Sequence, residues 1–182
     1  MFNKFEIIGG AASILSMAMA LYLIQANDFL GQVGEQAQPA QAVSASDSIV
    51  VVPQGDNMNQ LRANAFVQAA DNKGNIKRMV IDDIKIGTGE AVKEGDVVSV
   101  HYVGQLQNGQ EFDASKKRGE PFEFTVGAGR VIQGWEEGVI GMKTGGERVL
   151  VIPPEKAYGD AGIGPIPGNA TLVFSIELLE IK

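Results

Sequence analysis

The residues of this chain that could do chemistry are mostly aromatic. Six aromatic side chains in its second half stand out: Tyr102, Phe112, Phe122, Trp135, Tyr158 and Phe174. Trp135 is the only tryptophan and lies between two nearby glycines, and Asp113 directly follows one of the phenylalanines. Tyr158 precedes a glycine in a predicted loop, from which its hydroxyl can reach a ligand. Aromatic side chains most often form ordinary core. The position of Asp113 next to Phe112 and the loop position of Tyr158 nevertheless favour a binding pocket.

Other kinds of site find little support in the sequence. The chain has no cysteine and one histidine, which excludes disulfides, thiolate nucleophiles and multi-histidine metal sites. Gly127-Ala128-Gly129 lacks the third glycine of a dinucleotide loop, and Gly141-Met142-Lys143-Thr144 lacks the adjacent glycine and lysine of a phosphate loop. No nucleophilic triad is recognisable, and His101 is interpreted as a structural residue. The net charge of −7 argues against a nucleic-acid partner, because phosphate binding needs a basic face.

Short strands and one short helix must position these aromatic residues. Strands are predicted at 79–86, 97–103, 111–113, 121–126, 147–152 and 171–178. Asn108-Gly109 predicts a hairpin turn, and Trp135 to Ile140 predicts one or two helical turns. Many strands with one short helix predict the α+β class, with a strongly bent antiparallel sheet packed around that helix. A chain of 182 residues is long enough for one such domain with additional segments.

Several motifs between about Met79 and Ile181 carry a family resemblance. They are Val100-His101-Tyr102-Val103-Gly104, Phe112-Asp113-Ala114-Ser115, Val131-Ile132-Gln133-Gly134-Trp135-Glu136-Glu137-Gly138, Ile152-Pro153-Pro154, Ala157-Tyr158-Gly159 and Ile166-Pro167-Gly168-Asn169-Ala170-Thr171-Leu172-Val173-Phe174. Together they resemble the FK506-binding protein (FKBP) family of peptidyl-prolyl cis–trans isomerases. The resemblance implies an antiparallel half-barrel sheet wrapped around one short helix, with a pocket between them.

The resemblance also implies roles for individual residues. It makes Asp113, Tyr158, Phe112 and Tyr102 the catalytic group, with Asp113 and Tyr158 at the pocket mouth. It assigns substrate binding to Phe122, Val131, Ile132, Trp135, Ile166, Phe174 and Arg118. Among these residues, Trp135 is the expected floor, Arg118 is expected near the aspartate, and Ile166 is expected to close the flap side. The loop from Gly159 to Pro165 is one residue shorter than in short cytosolic members, which bears on client preference and macrolide affinity.

The implied activity is the acceleration of X–Pro isomerisation in folding proteins (EC 5.2.1.8). Rotation about the bond needs no proton or electron transfer, so we expect neither a metal nor another cofactor. The expected partners are proline-containing polypeptide clients, and an FK506-type macrolide is a further candidate ligand. Two alternatives stay open, namely a non-catalytic proline-peptide-binding or chaperone module and a membrane-assembly scaffold.

The N-terminal segment predicts a membrane anchor. Residues 7–24 carry no charge and, extended to 26, are long enough to cross a bilayer as a helix. Lys4 precedes the segment and acidic residues follow it, so the positive-inside rule keeps 1–6 as a cytoplasmic tail. The rest of the chain is then expected on the periplasmic side of a bacterial-type inner membrane. The alternative is a signal peptide cleaved near Ala18-Met19-Ala20, which would release a secreted or periplasmic protein.

The region between the anchor and the isomerase domain (79–182) divides into two predicted parts. Residues 27–55 are rich in small and polar types and predict a flexible linker, interrupted by the β-prone run at 49–53. Residues 56–74 predict an accessory helix from Asp56 to about Ala70, with one apolar side formed by Met58, Leu61, Ala65 and Ala69. We interpret it as a helix laid on the globular domain, and contact with a second copy or a client is the alternative.

Overall fold

A seven-stranded sheet dominates the part of the chain that the structure describes. This computed structural model describes residues 48–56 and 58–182. The strands are β1 (Ile49–Val51), β2 (Met79–Lys85), β3 (Thr88–Ala91), β4 (Val97–Leu106), β5 (Glu111–Ala114), β6 (Phe122–Thr125), β7 (Lys143–Thr144), β8 (Glu147–Ile152) and β9 (Leu172–Ile181). The helices are α1 (Met58–Ala69), α2 (Ser115–Arg118), α3 (Gln133–Gly138) and a 3₁₀ turn at Pro154–Lys156. The predicted α+β fold, an antiparallel sheet with one short helix against it, is confirmed.

The predicted cytoplasmic tail, the anchor or signal peptide, and residues 27–47 of the predicted linker lie outside the described residues. Within 48–56 and 58–182, no helix is both long and apolar enough to cross a membrane.

The sheet is ordered β1-β2-β8-β9-β4-β5, and β6 also pairs with β4. Every pairing is antiparallel except that of β1 with β2. The ten-residue strands β4 and β9 pair along most of their length and form the centre. β5 pairs with the second half of β4 and β6 with the first half. The chain therefore leaves β4 after β5, passes through α2 and returns to β4 as β6. Helix α2 was not predicted, because four residues give no apolar periodicity.

Both faces of the sheet are covered. Successive strand residues point to opposite faces, and each face has its own buried cluster. On the α3 face, Trp135 packs with residues such as Leu150, Ile152 and Ile176. On the α1 face, valines such as Val149 and Val50 pack under α1. The period of two predicted in the last strand is correct, but its second face is also largely buried because α1 covers it.

Two glycines allow α3 to lie directly on β8. A Cβ at Gly134 would come within 2.5 Å of Ile152 Cγ2, and one at Gly138 within 2.5 Å of Leu150 Cδ1. These positions are four residues apart, so they share the helix face that contacts the strand. The glycines on either side of Trp135 therefore set how closely the indole approaches the sheet.

The β-prone run at 49–53, which interrupts the predicted linker, forms the edge strand β1 of the main sheet. Ile49–Val51 pair in parallel with Met79–Ile81, and Val50 and Val52 are buried. The physical reason is that a run of β-branched residues can extend the sheet by one strand. Pro53 follows the strand and does not interrupt it.

The accessory helix is present as Met58–Ala69, close to the predicted span from Asp56 to about Ala70. It buries Ala65, Phe66 and Ala69 against the sheet, so the contacts favour the interpretation that it lies on the globular domain. Phe66 was not part of the predicted stripe. Arg62 adds a 2.7 Å ion pair to Asp82, whose side chain is fully buried in β2.

Candidate active site

A cavity of about 180 Å³ opens on the α3 face. It is lined by Tyr102, Phe112, Asp113, Phe122, Arg130, Val131, Ile132, Trp135, Tyr158 and Phe174. These residues come from β4, β5, β6, α3, β9 and two loops, so only the folded chain assembles them. The volume is below the roughly 300–1,000 Å³ of pockets for drug-sized ligands, and it suits one ring or side chain.

Trp135 forms the floor of the cavity and is 4% exposed. Its ring meets Tyr102 edge-to-face at 5.0 Å and Phe174 at 5.2 Å. Phe124 packs behind it at 5.6 Å. Such aromatic pairs each contribute about 0.5–1.5 kcal/mol beyond burial. The indole is thus held from several sides, and its Nε1 has no hydrogen-bond partner among the described residues.

Phe112 and Phe174 form one wall, with ring centroids 5.6 Å apart and nearly perpendicular planes. Gly104 on β4 makes room for both, since a Cβ there would come within 2.8 Å of each ring. Phe122 closes the opposite side, 6.0 Å from the Trp135 ring. The glycine in the His-Tyr-Val-Gly motif is therefore needed for the shape of the wall.

A polar corner joins Tyr102, Asp113 and Arg118. The Tyr102 hydroxyl donates a hydrogen bond to one oxygen of Asp113, and Arg118 pairs with the other oxygen. Arg118 Nη2 also donates to the Tyr102 hydroxyl at 2.8 Å. Burial, and after it the hydrogen bond to Asp113, raises the pKa of Tyr102 to about 12. The phenol therefore stays protonated at neutral pH and remains a donor to the carboxylate.

Tyr158 lies in the loop after the 3₁₀ turn and is 38% exposed. Gly159 N–H donates to Pro154 O at 2.9 Å and Asn169 N–H donates to Gly159 O at 2.8 Å, so both sides of this loop are tied down. Burial, followed by the charge of Asp113, raises the pKa of Tyr158. Its hydroxyl makes no hydrogen bond within the described residues, which leaves a protonated donor at the rim.

The loop before α3 supplies a second free donor. Both oxygens of Glu136 accept backbone N–H groups, from Gly127 and, at 2.9 Å, from Gly129. The Ile132 carbonyl accepts the Trp135 N–H at 2.8 Å, whereas the Ile132 N–H has no partner among the described residues. The rim thus offers an amide donor from a loop whose backbone is tied down.

The structure brings together every predicted site residue except Arg118 and Ile166. Arg118 does not line the cavity but holds Asp113 from outside. Ile166 does not line the cavity and is buried in the α3-face cluster, and two backbone hydrogen bonds with Ile163 form a tight turn there. His101 lies outside the cavity, with Nδ1 3.0 Å from Ser115 Oγ.

Arg130 lines the cavity and was missed from the sequence. Its position in the sequence could have indicated a role in the site, since Arg130 ends a glycine-rich loop and immediately precedes the predicted site residues Val131 and Ile132. Periodicity gives no information about such a loop residue.

Comparison with known proteins agrees with this geometry. A sequence profile of FKBP-type peptidyl-prolyl cis-trans isomerases matches residues 88–179, which is half of the chain. FK506-binding protein 2 of Emericella nidulans is 60% identical over 90 residues, covering 49% of this chain and 67% of that protein. FK506-binding protein 4 of Gibberella zeae is 43% identical over 148 residues, covering 81% of this chain.

Some of these relatives are much longer than the matched region. The chain covers 30% of the Gibberella protein. The crystal structure of FkpA from Escherichia coli matches with a TM-score of 0.55 and 50% identity, covering 58% of this chain and 48% of that one. The residues that match the family profile, 88–179, include every residue that lines the cavity. On this evidence of sequence and fold, the chain belongs to the FKBP-type peptidyl-prolyl cis-trans isomerase family.

Proposed function

We propose that this chain is a peptidyl-prolyl cis–trans isomerase that accelerates rotation of X–Pro bonds in folding polypeptides. One observation carries the proposal, namely a cavity of about 180 Å³ with aromatic walls and an indole floor. Two unused donors, the Tyr158 hydroxyl and the Ile132 N–H, stand at its rim. The family match supports the same activity.

The chemistry of the bond explains why such a cavity suffices. The X–Pro bond rotates over a barrier of about 18–20 kcal/mol, because twisting removes amide resonance. The twisted amide is less polar than the planar one, so a water-poor aromatic site stabilises the twisted state relative to the ground state. Each 1.36 kcal/mol of such preference gives about a tenfold acceleration. No group of the chain has to exchange a proton with the substrate.

Most of the lining residues have a role in this proposal. The proline ring packs on Trp135 between Phe122 and Phe174. The rotating carbonyl faces Tyr102, Phe112 and Asp113, where the polar corner supplies a fixed dipole. The Tyr158 hydroxyl and the Ile132 N–H bind the peptide backbone, which holds the bond in position for rotation. Arg118 acts through Asp113 as a positioning residue.

A direct test is the rate of cis–trans exchange in a Leu-Pro tetrapeptide, followed by a protease-coupled assay. The chain should raise the rate in proportion to its concentration. Val67→Ala is a matched control, because Val67 is exposed on α1, away from the cavity, and this variant should keep the full rate. A wild-type protein that is folded but leaves the rate unchanged would refute the activity and favour a peptide-binding module.

We further propose that the same cavity takes one ring of an FK506-type macrolide. The names of the relatives support this proposal, and so do the two rim donors. Because the cavity fits one ring, the rest of a macrolide must lie on the rim. Competitive inhibition of the Leu-Pro reaction by FK506 would test it, and a lack of competition at saturating ligand would contradict it.

We propose that residues 7–26 anchor the protein in an inner membrane, with the isomerase domain on the periplasmic side. The support is the uncharged segment 7–24 and the single lysine before it. Mass spectrometry of the mature protein decides between this proposal and a cleaved signal peptide. Retention of Met1 to Ala20, with extraction from membranes only by detergent, is expected, and a mature N-terminus after Ala20 would contradict the anchor.

A further inference from the structure

Arg130 is an exposed side chain at the rim of the cavity. Of the four other described arginines, Arg62, Arg118 and Arg148 each pair with an aspartate. The fourth, Arg78, does not line the cavity and forms no ion pair with a described residue. No described carboxylate pairs with Arg130. Its guanidinium is always charged at physiological pH and presents a planar fork that matches a carboxylate.

The charges that line the cavity are unevenly balanced. Its ionisable carboxylate is Asp113, which already forms an ion pair with Arg118 and accepts the Tyr102 hydroxyl. Arg130 is therefore the charged lining residue that remains without compensation within the described part of the chain. A client bound in the cavity meets the unpaired guanidinium of Arg130 at this side of the rim.

The backbone beneath Arg130 is fixed. Glu136 binds the N–H groups of Gly127 and Gly129, and two residues after Arg130 the Ile132 carbonyl accepts the first bond of α3. The guanidinium thus extends from a tethered loop, next to the free Ile132 N–H that the proposed function gives to the client backbone. Because neighbouring Cα atoms are 3.8 Å apart, residues beside the bound proline come within reach of an arginine side chain.

We propose that Arg130 selects clients that carry an acidic side chain directly before or after the bound proline. A carboxylate there forms a charge-assisted pair with the guanidinium, and a lysine there is repelled. This inference rests on the proposed function, since it assumes that the proline lies over Trp135. The pair is exposed, so the preference should be about two- to fivefold and should weaken as salt is raised.

The test compares two series of tetrapeptides with Glu, Gln or Lys before or after the proline. In at least one series, kcat/KM of the wild type at low salt should be about two- to fivefold higher for Glu than for Lys. Arg130→Gln should abolish the preference, so that kcat/KM for the Glu and Lys peptides becomes equal, and Arg130→Glu should invert it. Lys73→Gln is the control, because it removes one positive charge from an exposed turn outside the cavity and should leave the preference intact.

The same peptides are also titrated against the fluorescence of Trp135, the only tryptophan, which reports binding without turnover. Equal kcat/KM for Glu and Lys in both series, or the same loss of preference in Lys73→Gln and Arg130→Gln, overturns the inference while the isomerase activity stands. If no peptide is isomerised but binding still prefers Glu in an Arg130-dependent way, the inference stands and the proposed activity fails. Absence of both turnover and binding overturns both.

Discussion

The two faces of the main sheet bury side chains of different size. On the α3 face, β4 and β9 contribute Tyr102 and Phe174, which surround an indole. On the α1 face, the residues adjacent to these two in the same strands, Val103 and Val173, pack under α1 with other small aliphatic side chains. Large perpendicular rings leave a cavity between them, whereas small β-branched residues fill their space.

The polar groups of the two faces differ in how far they are exposed to solvent. At the cavity, Asp113 and Arg118 are each about 42% exposed, and donors at the rim remain free. On the α1 face, Asp82 is fully buried and pairs with Arg62. One face keeps polar groups accessible to a ligand, and the other uses a buried charge to hold a helix. We therefore expect changes on the α1 face to reduce stability and changes on the α3 face to reduce turnover.

The largest expected effect is that of Phe66→Ala on the α1 face. Phe66 is 6% exposed, and truncating a buried phenylalanine costs about 3–5 kcal/mol. Urea denaturation should show this loss, while kcat/KM per folded molecule stays at the wild-type value. The neighbouring exposed Val67→Ala should change stability by less than about 0.5 kcal/mol. A drop in turnover of the folded Phe66 variant would show that the two faces are coupled.

Arg62→Gln should destabilise the protein by about 2 kcal/mol at neutral pH, because it leaves a buried carboxylate unpaired. Burial already raises the pKa of Asp82 above its usual value, against the opposing effect of Arg62. A raised native pKa means that the native state binds the proton more readily than the unfolded state, so this group's contribution to stability falls as pH rises through that pKa.

Loss of Arg62 removes the effects that lower the pKa of Asp82. In the variant, the pH range over which stability falls therefore extends to higher pH. The free-energy difference between wild type and Arg62→Gln should therefore be largest near neutrality and shrink on acidification. Denaturation curves at several pH values measure it. A difference that does not depend on pH would mean that Asp82 is not the group left unpaired.

On the α3 face, Phe112→Ala should lower kcat/KM on a Leu-Pro peptide by tenfold or more, equivalent to at least about 1.4 kcal/mol. The change opens the wall beside Phe174 to water. Phe112→Leu keeps an apolar wall and should lose less. Because Phe112 is only partly buried, both variants should unfold close to the wild-type denaturant midpoint. Full activity in Phe112→Ala would show that Phe112 does not contribute to the site.

The smallest expected effect is that of Tyr158→Phe, which removes a single hydroxyl. One hydrogen bond contributes about 0.5–1.5 kcal/mol, so kcat/KM should fall about two- to tenfold with stability unchanged. The ring stays in place and serves as its own control for packing. An unchanged kcat/KM would show that the hydroxyl does not hold the peptide.

The α3 face was largely predictable because its signals are local. Alternating strands, the Asn108-Gly109 turn and the glycines around Trp135 each follow from a few adjacent residues. The α1 face was less predictable. Strand β1 pairs in parallel with β2, nearly thirty residues away, and no local signal specifies that partner. Phe66 was missed because the apolar stripe of α1 is mostly alanine. Arg130 was missed because its importance comes from its place at the rim.

The central claim is that X–Pro rotation takes place over Trp135 in the cavity of the α3 face. Because the chain has one tryptophan, its indole N–H gives one resolved side-chain signal in an NMR spectrum. A Leu-Pro peptide should shift this signal on titration, and its own cis and trans signals should exchange faster over the same concentration range. Faster exchange with the indole signal unmoved at saturating peptide would contradict the account.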